Sequence, residues 1–200
     1  MTKYDDPRIL RAIAHPARNR ILSELWASGS LRAADVARIL DIPANQASFH
    51  LRQLAKYGLV TEAPEEARDK RDRVWKLAAE DGISFRSQDM LAQPGGSAAM
   101  EVYKHNARSW GHLLVDLSLA TGPDDAPEKY TNQGSLRFTQ EEVAEFAEEF
   151  RQLQNRWREK TRGHDDGRIT YSVYQLVQPY PDAQQAEGIE DADDAEDDLD

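Results

Sequence analysis

The chain has 200 residues, 40% hydrophobic and 30% charged, with a formal net charge of -11 and no cysteine. That apolar share is enough for a packed core, and the missing thiols exclude disulfides, thiolate metal sites and a cysteine nucleophile. No apolar run approaches the roughly 18 residues of a membrane span, and the stretch after Met1 lacks the apolar segment of a secretory signal, so the sequence predicts a cytoplasmic protein. The charge is unevenly spread. Residues 1–80 hold 14 basic and 11 acidic side chains, a net of +3, whereas residues 181–200 hold none and 10. The overall acidity therefore does not argue against nucleic-acid binding by the first part.

In chain order, Asp6 and Pro7 are an N-cap and first-position pair that opens a helix with Ile9, Leu10 and Ile13 on its apolar face. His15-Pro16 ends it, because the residue before proline is driven out of the helical region. Pro16 opens a second helix with Ile21, Leu22, Leu25 and Trp26 inward, closed by Ser28-Gly29-Ser30. A third helix is predicted over 33–40, a tight turn at Asp41-Ile42-Pro43, and a fourth helix over 44–57 with Ala47, Leu51 and Leu54 at helical spacing. Gly58 suits a left-handed C-terminal position. Residues 59–63 and 73–78 read as the two strands of a hairpin, joined by the charged stretch 64–72. Two helices, a helix-turn-helix formed by the third and fourth, and a hairpin with a charged tip make the layout of a winged helix.

The residues that carry this layout resemble a known family. Leu10 to Leu25 (LRAIAHPARNRILSEL), Asp35 to Leu40 (DVARIL), Asn45 to Leu54 (NQASFHLRQL) and Gly58-Leu59-Val60 are similar, in that order, to the ArsR-type winged helix-turn-helix regulators over residues 6–80. The resemblance implies homodimeric, sequence-specific binding to double-stranded DNA and transcriptional control, commonly repression. Three departures stand out. Asp41 replaces a usual glycine, Phe49 replaces a frequent second histidine, and the cysteines of metal-sensing members are absent.

Past residue 82 the pattern changes. Residues 83–97 contain Pro94-Gly95-Gly96 and read as a linker. A long helix over 98–119 carries Tyr103, Ala107, Trp110, Leu114 and Leu117 at 4-3-4-3 spacing, an apolar seam assigned to dimerisation. A short strand over 135–138 follows. Thr139 and Glu142 then form a capping box for a helix with Val143, Phe146, Phe150, Leu153 and Trp157 at 3-4-3-4 spacing. Residues 169–178 alternate as a strand. The fold class expected is α+β, mainly α: a winged helix over 1–82, the linker, a helix-strand-helix-strand module over 98–181, and an acidic tail over 182–200 too polar to order.

Among candidate site residues, the fourth helix comes first. Ala44, Asn45, Gln46, Ser48, Phe49, His50 and Arg52 lie on the helix that enters a major groove in such folds. Asparagine and glutamine match adenine edges, and arginine matches guanine or phosphate. Arg68, Lys70, Arg71 and Arg73 at the wing suit phosphates or a narrow minor groove, with Glu65, Glu66, Asp69 and Asp72 interleaved. Arg18 and Arg20 fit either phosphate contacts or structural partners.

The bland reading of His105, His112 and Asp116, a solvent stripe on the long helix, outweighs a metal site, and no cofactor is expected. The seams leave room for a small-molecule effector of unspecified identity. No phosphate-binding glycine loop, Gly-x-Ser-x-Gly or His-Glu-x-x-His occurs, so an enzyme is not expected. The alternatives are an architectural or protein-interaction winged helix without sequence preference, and a metal-responsive regulator.

Overall fold

The computed structural model describes residues 2–67, 73–79, 82–123, 126–164 and 167–182. The wing-tip residues Arg68, Lys70 and Arg71, and the acidic tail beyond Asp182, lie outside them. The fold is α+β and mainly helical. No helix among the described residues is long and apolar enough to cross a membrane.

Helix α1 spans Arg8–Ala14. Asp6 caps it, accepting the Arg8 backbone N–H at 2.9 Å, which satisfies one of the orphan donors of a helix start. His15 is extended (φ -72°, ψ 124°), and α2 follows at once over Pro16–Ser28. The chain continues through β2 (Ser30–Arg32), α3 (Ala33–Leu40) and α4 (Ala44–Lys56). Strand β3 (Val60–Glu62), a 3-10 turn (Pro64–Glu66) and β4 (Val74–Leu77) complete the wing. Between α3 and α4, Asp41 adopts the left-handed conformation (φ 52°, ψ 50°). Aspartate tolerates that region better than most residues, so the turn keeps its shape without glycine.

The wing is a three-stranded antiparallel sheet, not the two-stranded hairpin expected. Central β4 pairs with β2 on one side (Leu31 opposite Trp75) and with β3 on the other (Glu62 opposite Trp75). Three residues of β2 are too few to display an alternating pattern, so only the sheet reveals them. A second small sheet pairs β1 (Thr2–Lys3) in parallel with β5 (Ile83–Ser84).

Residues 83–97, expected as a linker, hold β5 and helix α5 (Ser87–Leu91). Helix α6 then starts earlier than its apolar seam, spanning Gly96–Leu119. Met90, Ala99 and Met100 are buried in the same cluster as Leu10, Ile13, Leu25, Leu51 and Leu54. The first turns of α6 thus complete the winged-helix core by packing on α1. Tyr103, assigned to dimerisation from its spacing, packs edge-to-face on Phe85 (5.2 Å between ring centres) at the margin of this core.

Helix α7 spans Gln140–Thr161 and carries the expected capping box: the Glu142 N–H donates to the Thr139 hydroxyl (3.2 Å) and the Thr139 N–H to the Glu142 carboxylate (2.6 Å). None of its residues is buried. The strands expected at 135–138 and 169–178 do not form in the single chain. A strand exists only through its ladder partner, and among the described residues no neighbouring segment supplies one.

Candidate nucleic-acid interface

Helix α4 has two faces that its sequence already separates. Ala47, His50, Leu51 and Leu54 are buried, at the spacing that places them on one side of a helix. Ala44, Asn45, Gln46, Phe49 and Arg52 are exposed, and Ser48 is half-buried. Helix α4 opens on Pro43, whose carbonyl accepts the N–H groups of Gln46 and Ala47 at 2.9 and 3.0 Å. Asn45 Oδ1 also accepts the Gln46 N–H at 2.9 Å. That leaves the Asn45 amide NH2 and the whole Gln46 amide facing outward from the first turn. These groups offer the donor and acceptor pairs that base edges require.

Next to this turn lies a cleft lined by Arg32, Ala33, Ala34, Ser48, Arg52, Arg73 and Trp75. Four elements line it. The last residue of β2 contributes Arg32, the start of α3 contributes Ala33 and Ala34, α4 contributes Ser48 and Arg52, and Arg73 just before β4 and Trp75 within it complete the lining. Trp75 is buried and forms the floor. Arg32 is the functional candidate that sequence reading missed. Its Nε and Nη2 donate to the Asp35 carboxylate at 2.8 and 2.9 Å, which fixes the guanidinium at the cleft edge. Arg32 beside Asp35 holds that carboxyl below its usual range, with Arg38 contributing from 3.9 Å. The only sequence signal was an arginine just before a helix with aspartate at its third position. Arg73 lies 3.7 Å from Glu62 in an exposed pair, weak enough in water for a phosphate to compete.

His50 does not join this surface. It is only 4% exposed and packs against His15, from the break between α1 and α2, with ring centres 4.8 Å apart and planes tilted by 50°. Among the described residues, neither of its ring nitrogens nor His15 Nδ1 has a hydrogen-bond partner. Burial pushes both imidazoles below their ordinary pKa, and the nearby Arg18 charge pushes them the same way. Both are thus held neutral.

Arg18 resolves as structural. Its guanidinium donates to the carbonyls of Ala12 (2.7 Å) and Arg11 (2.9 Å), capping the C-terminal end of α1. Arg20 lies 2.6 Å from Glu24 Oε1, in an ion pair whose angles are not those of a hydrogen bond. Glu24 is itself buried, and its other oxygen accepts the Thr170 hydroxyl at 2.7 Å. Thr170 lies 146 positions away in the sequence, so the C-terminal segment reaches back to α2. Arg158 of α7 stacks over the Trp26 ring at 4.0 Å in the same region.

His112 and Asp116 lie exposed along α6, as does His105. Among the described residues no three His, Cys, Asp or Glu side chains converge on a metal position.

Residues 13–63 match the helix-turn-helix domain family. Over 51 residues the chain is 35% identical to the transcriptional repressor PagR of Bacillus anthracis, covering 26% of this chain and 52% of PagR. The chain thus spans about half the length of the curated relative it matches. Among solved structures, it is similar to wild-type MarR from E. coli in its apo form (TM-score 0.32, 15% identity, covering 68% of this chain and 75% of that one). It is also similar to YusO from Bacillus subtilis (TM-score 0.32, 14% identity, covering 70% and 74%).

Proposed function

We propose that this chain is a DNA-binding transcription regulator that reads a major groove with the first turns of α4 and holds the flanking phosphates with its cleft. One observation carries the reading. The outward amides of Asn45 and Gln46 adjoin a cleft with three arginines, Arg32, Arg52 and Arg73, on a rigid core. Amides supply base readout and guanidinium groups supply positioning on the backbone, the two kinds of contact that specific DNA recognition combines. The helix-turn-helix match over the same residues supports it. The likeness to a protein named as a transcriptional repressor supports repression as the outcome.

In this reading the protein acts as a homodimer. One such module reads only a few base pairs, and two related by a twofold axis read an inverted repeat with half-sites about 34 Å apart. Residues 1–82 bind DNA, and residues 98–181 hold the dimer through the exposed part of the α6 seam (Trp110, Leu117) and the α7 seam. A ligand that favours one spacing of the two α4 helices would shift operator affinity.

The test is selection of bound sequences from random duplex DNA at about 0.15 M salt, with wild type and Gln46→Ala side by side. We expect wild type to enrich an inverted repeat and Gln46→Ala to lose or relax one position of each half-site. Binding without any enriched motif, with a steep salt dependence, would replace sequence reading by an architectural role.

A further inference from the structure

Residues 169–181 are thirteen consecutive positions without a charged side chain, in a chain in which 30% of residues are charged. The segment is rich in valine, isoleucine and tyrosine, alternates, and is bounded by Gly167 (φ +83°) and Pro179. It has the composition of a β-strand, yet forms no ladder with any described residue of its own chain. One side is nonetheless anchored. The Thr170 hydroxyl bonds to Glu24 on α2. Tyr174 lies against Gly111 of α6, where an added Cβ would sit 3.4 Å from the tyrosine oxygen. These two residues share parity. Ile169, Tyr171, Val173, Leu176 and Val177 are all exposed, Val173 at 63% and Leu176 at 70%. An exposed, uncharged, strand-forming segment is an adhesive edge that folded proteins cover.

The uncovered surface is large enough for a second copy to cover. The chain exposes 15461 Å², against about 9,500 Å² for a compact monomer of its mass. Subtracting roughly 2,700 Å², the most that eighteen residues can expose, still leaves an excess of about 3,300 Å². Each copy in an obligate dimer contributes about 1,000–2,500 Å². Helix α7 adds to the demand, since Val143, Leu153 and Trp157 of its seam are all exposed.

We propose that residues 169–177 are a dimerisation arm that pairs antiparallel with the same segment of a second copy across the twofold axis. A twofold interface is self-complementary, and an antiparallel ladder of one segment with itself satisfies that condition. The midpoint between Gly167 and Pro179 is Val173. The axis therefore passes at Val173, with Tyr171 opposite Gln175 and Ile169 opposite Val177. Thr170 and Tyr174 stay on α2 and α6, so the two arms form a ribbon backed by helices from both copies. A two-stranded ribbon without such backing is marginal.

This proposal rests on the homodimer of the preceding reading, and its test separates the two. The chain has no cysteine, so single-cysteine variants report one position each. Ile169→Cys, Tyr171→Cys, Val173→Cys, Gln175→Cys and Val177→Cys are oxidised and analysed on non-reducing gels. Ser87→Cys serves as an exposed control, melting curves establish that each variant is folded, and wild type is weighed in solution by light scattering. We expect a wild-type dimer and at least tenfold more cross-linked dimer from Val173→Cys than from the control. Mixed Tyr171→Cys and Gln175→Cys proteins should form heterodimers more readily than either alone forms homodimers. A wild-type dimer with no cross-link above control at any arm position overturns the arm and leaves the dimer standing. A wild-type monomer overturns both.

Discussion

Gly29 sits where the C-terminal helix meets the winged helix, and replacing it by alanine probes both. It follows α2, donates its N–H to the Leu25 carbonyl at 2.9 Å, and holds φ 91°, ψ -60°. That region is poorly accessible to any residue with a Cβ, at a cost of about 1–3 kcal/mol. An added Cβ would also lie 2.0 Å from Arg162 Nε and 2.4 Å from its Cζ. Arginine is flexible and can swing aside, so the backbone accounts for most of the loss. For a chain of this size each kcal/mol moves the midpoint by about 2–4 °C, and Gly29→Ala should lower Tm by about 3–10 °C. The assay is a double-mutant cycle by thermal and urea unfolding with Arg162→Ala. In the Arg162→Ala background the backbone cost should persist, and only the smaller contact part should vanish. If Gly29→Ala stays within about 0.5 kcal/mol of its parent in both backgrounds, the strained conformation is refuted.

Two further outcomes follow from buried polar groups. His15 and His50 are held below their ordinary pKa of 6.5 by burial and by Arg18, so the unfolded chain takes up protons first. Their contribution is complete above about pH 6.5 and declines as pH falls toward their folded-state values. Urea unfolding between about pH 5 and 8 should show this slope, and His50→Leu should flatten it; an unchanged slope would remove the pair as its source. Arg18→Met removes the two bonds that cap α1, and should cost about 1.5–3 kcal/mol of stability while leaving the exposed face of α4 unchanged. A loss of DNA affinity with stability intact would instead make Arg18 a DNA contact.

The winged helix and the outward face of α4 were legible in the residues alone. These depend on local physics: helix periodicity, a proline break at His15-Pro16, a left-handed turn at Asp41, and the spacing of Ala47, Leu51 and Leu54. All of these act within a few residues and leave marks in composition. Residue spacing also placed Asn45, Gln46 and Arg52 on that face. Long-range contacts settled the rest. Whether His50 faced a groove or packed could not be read from α4, because its ring partner His15 lies on another element. Arg32 became a cleft residue only once β2 paired with β4, and β2 is too short to announce itself. Arg18 was separated from a phosphate contact by carbonyls at the end of α1. The expected strands at 135–138 and 169–178 show the reverse case. Their alternating pattern states what the segments can form, but a ladder takes a second strand, and the described residues of the single chain provide none.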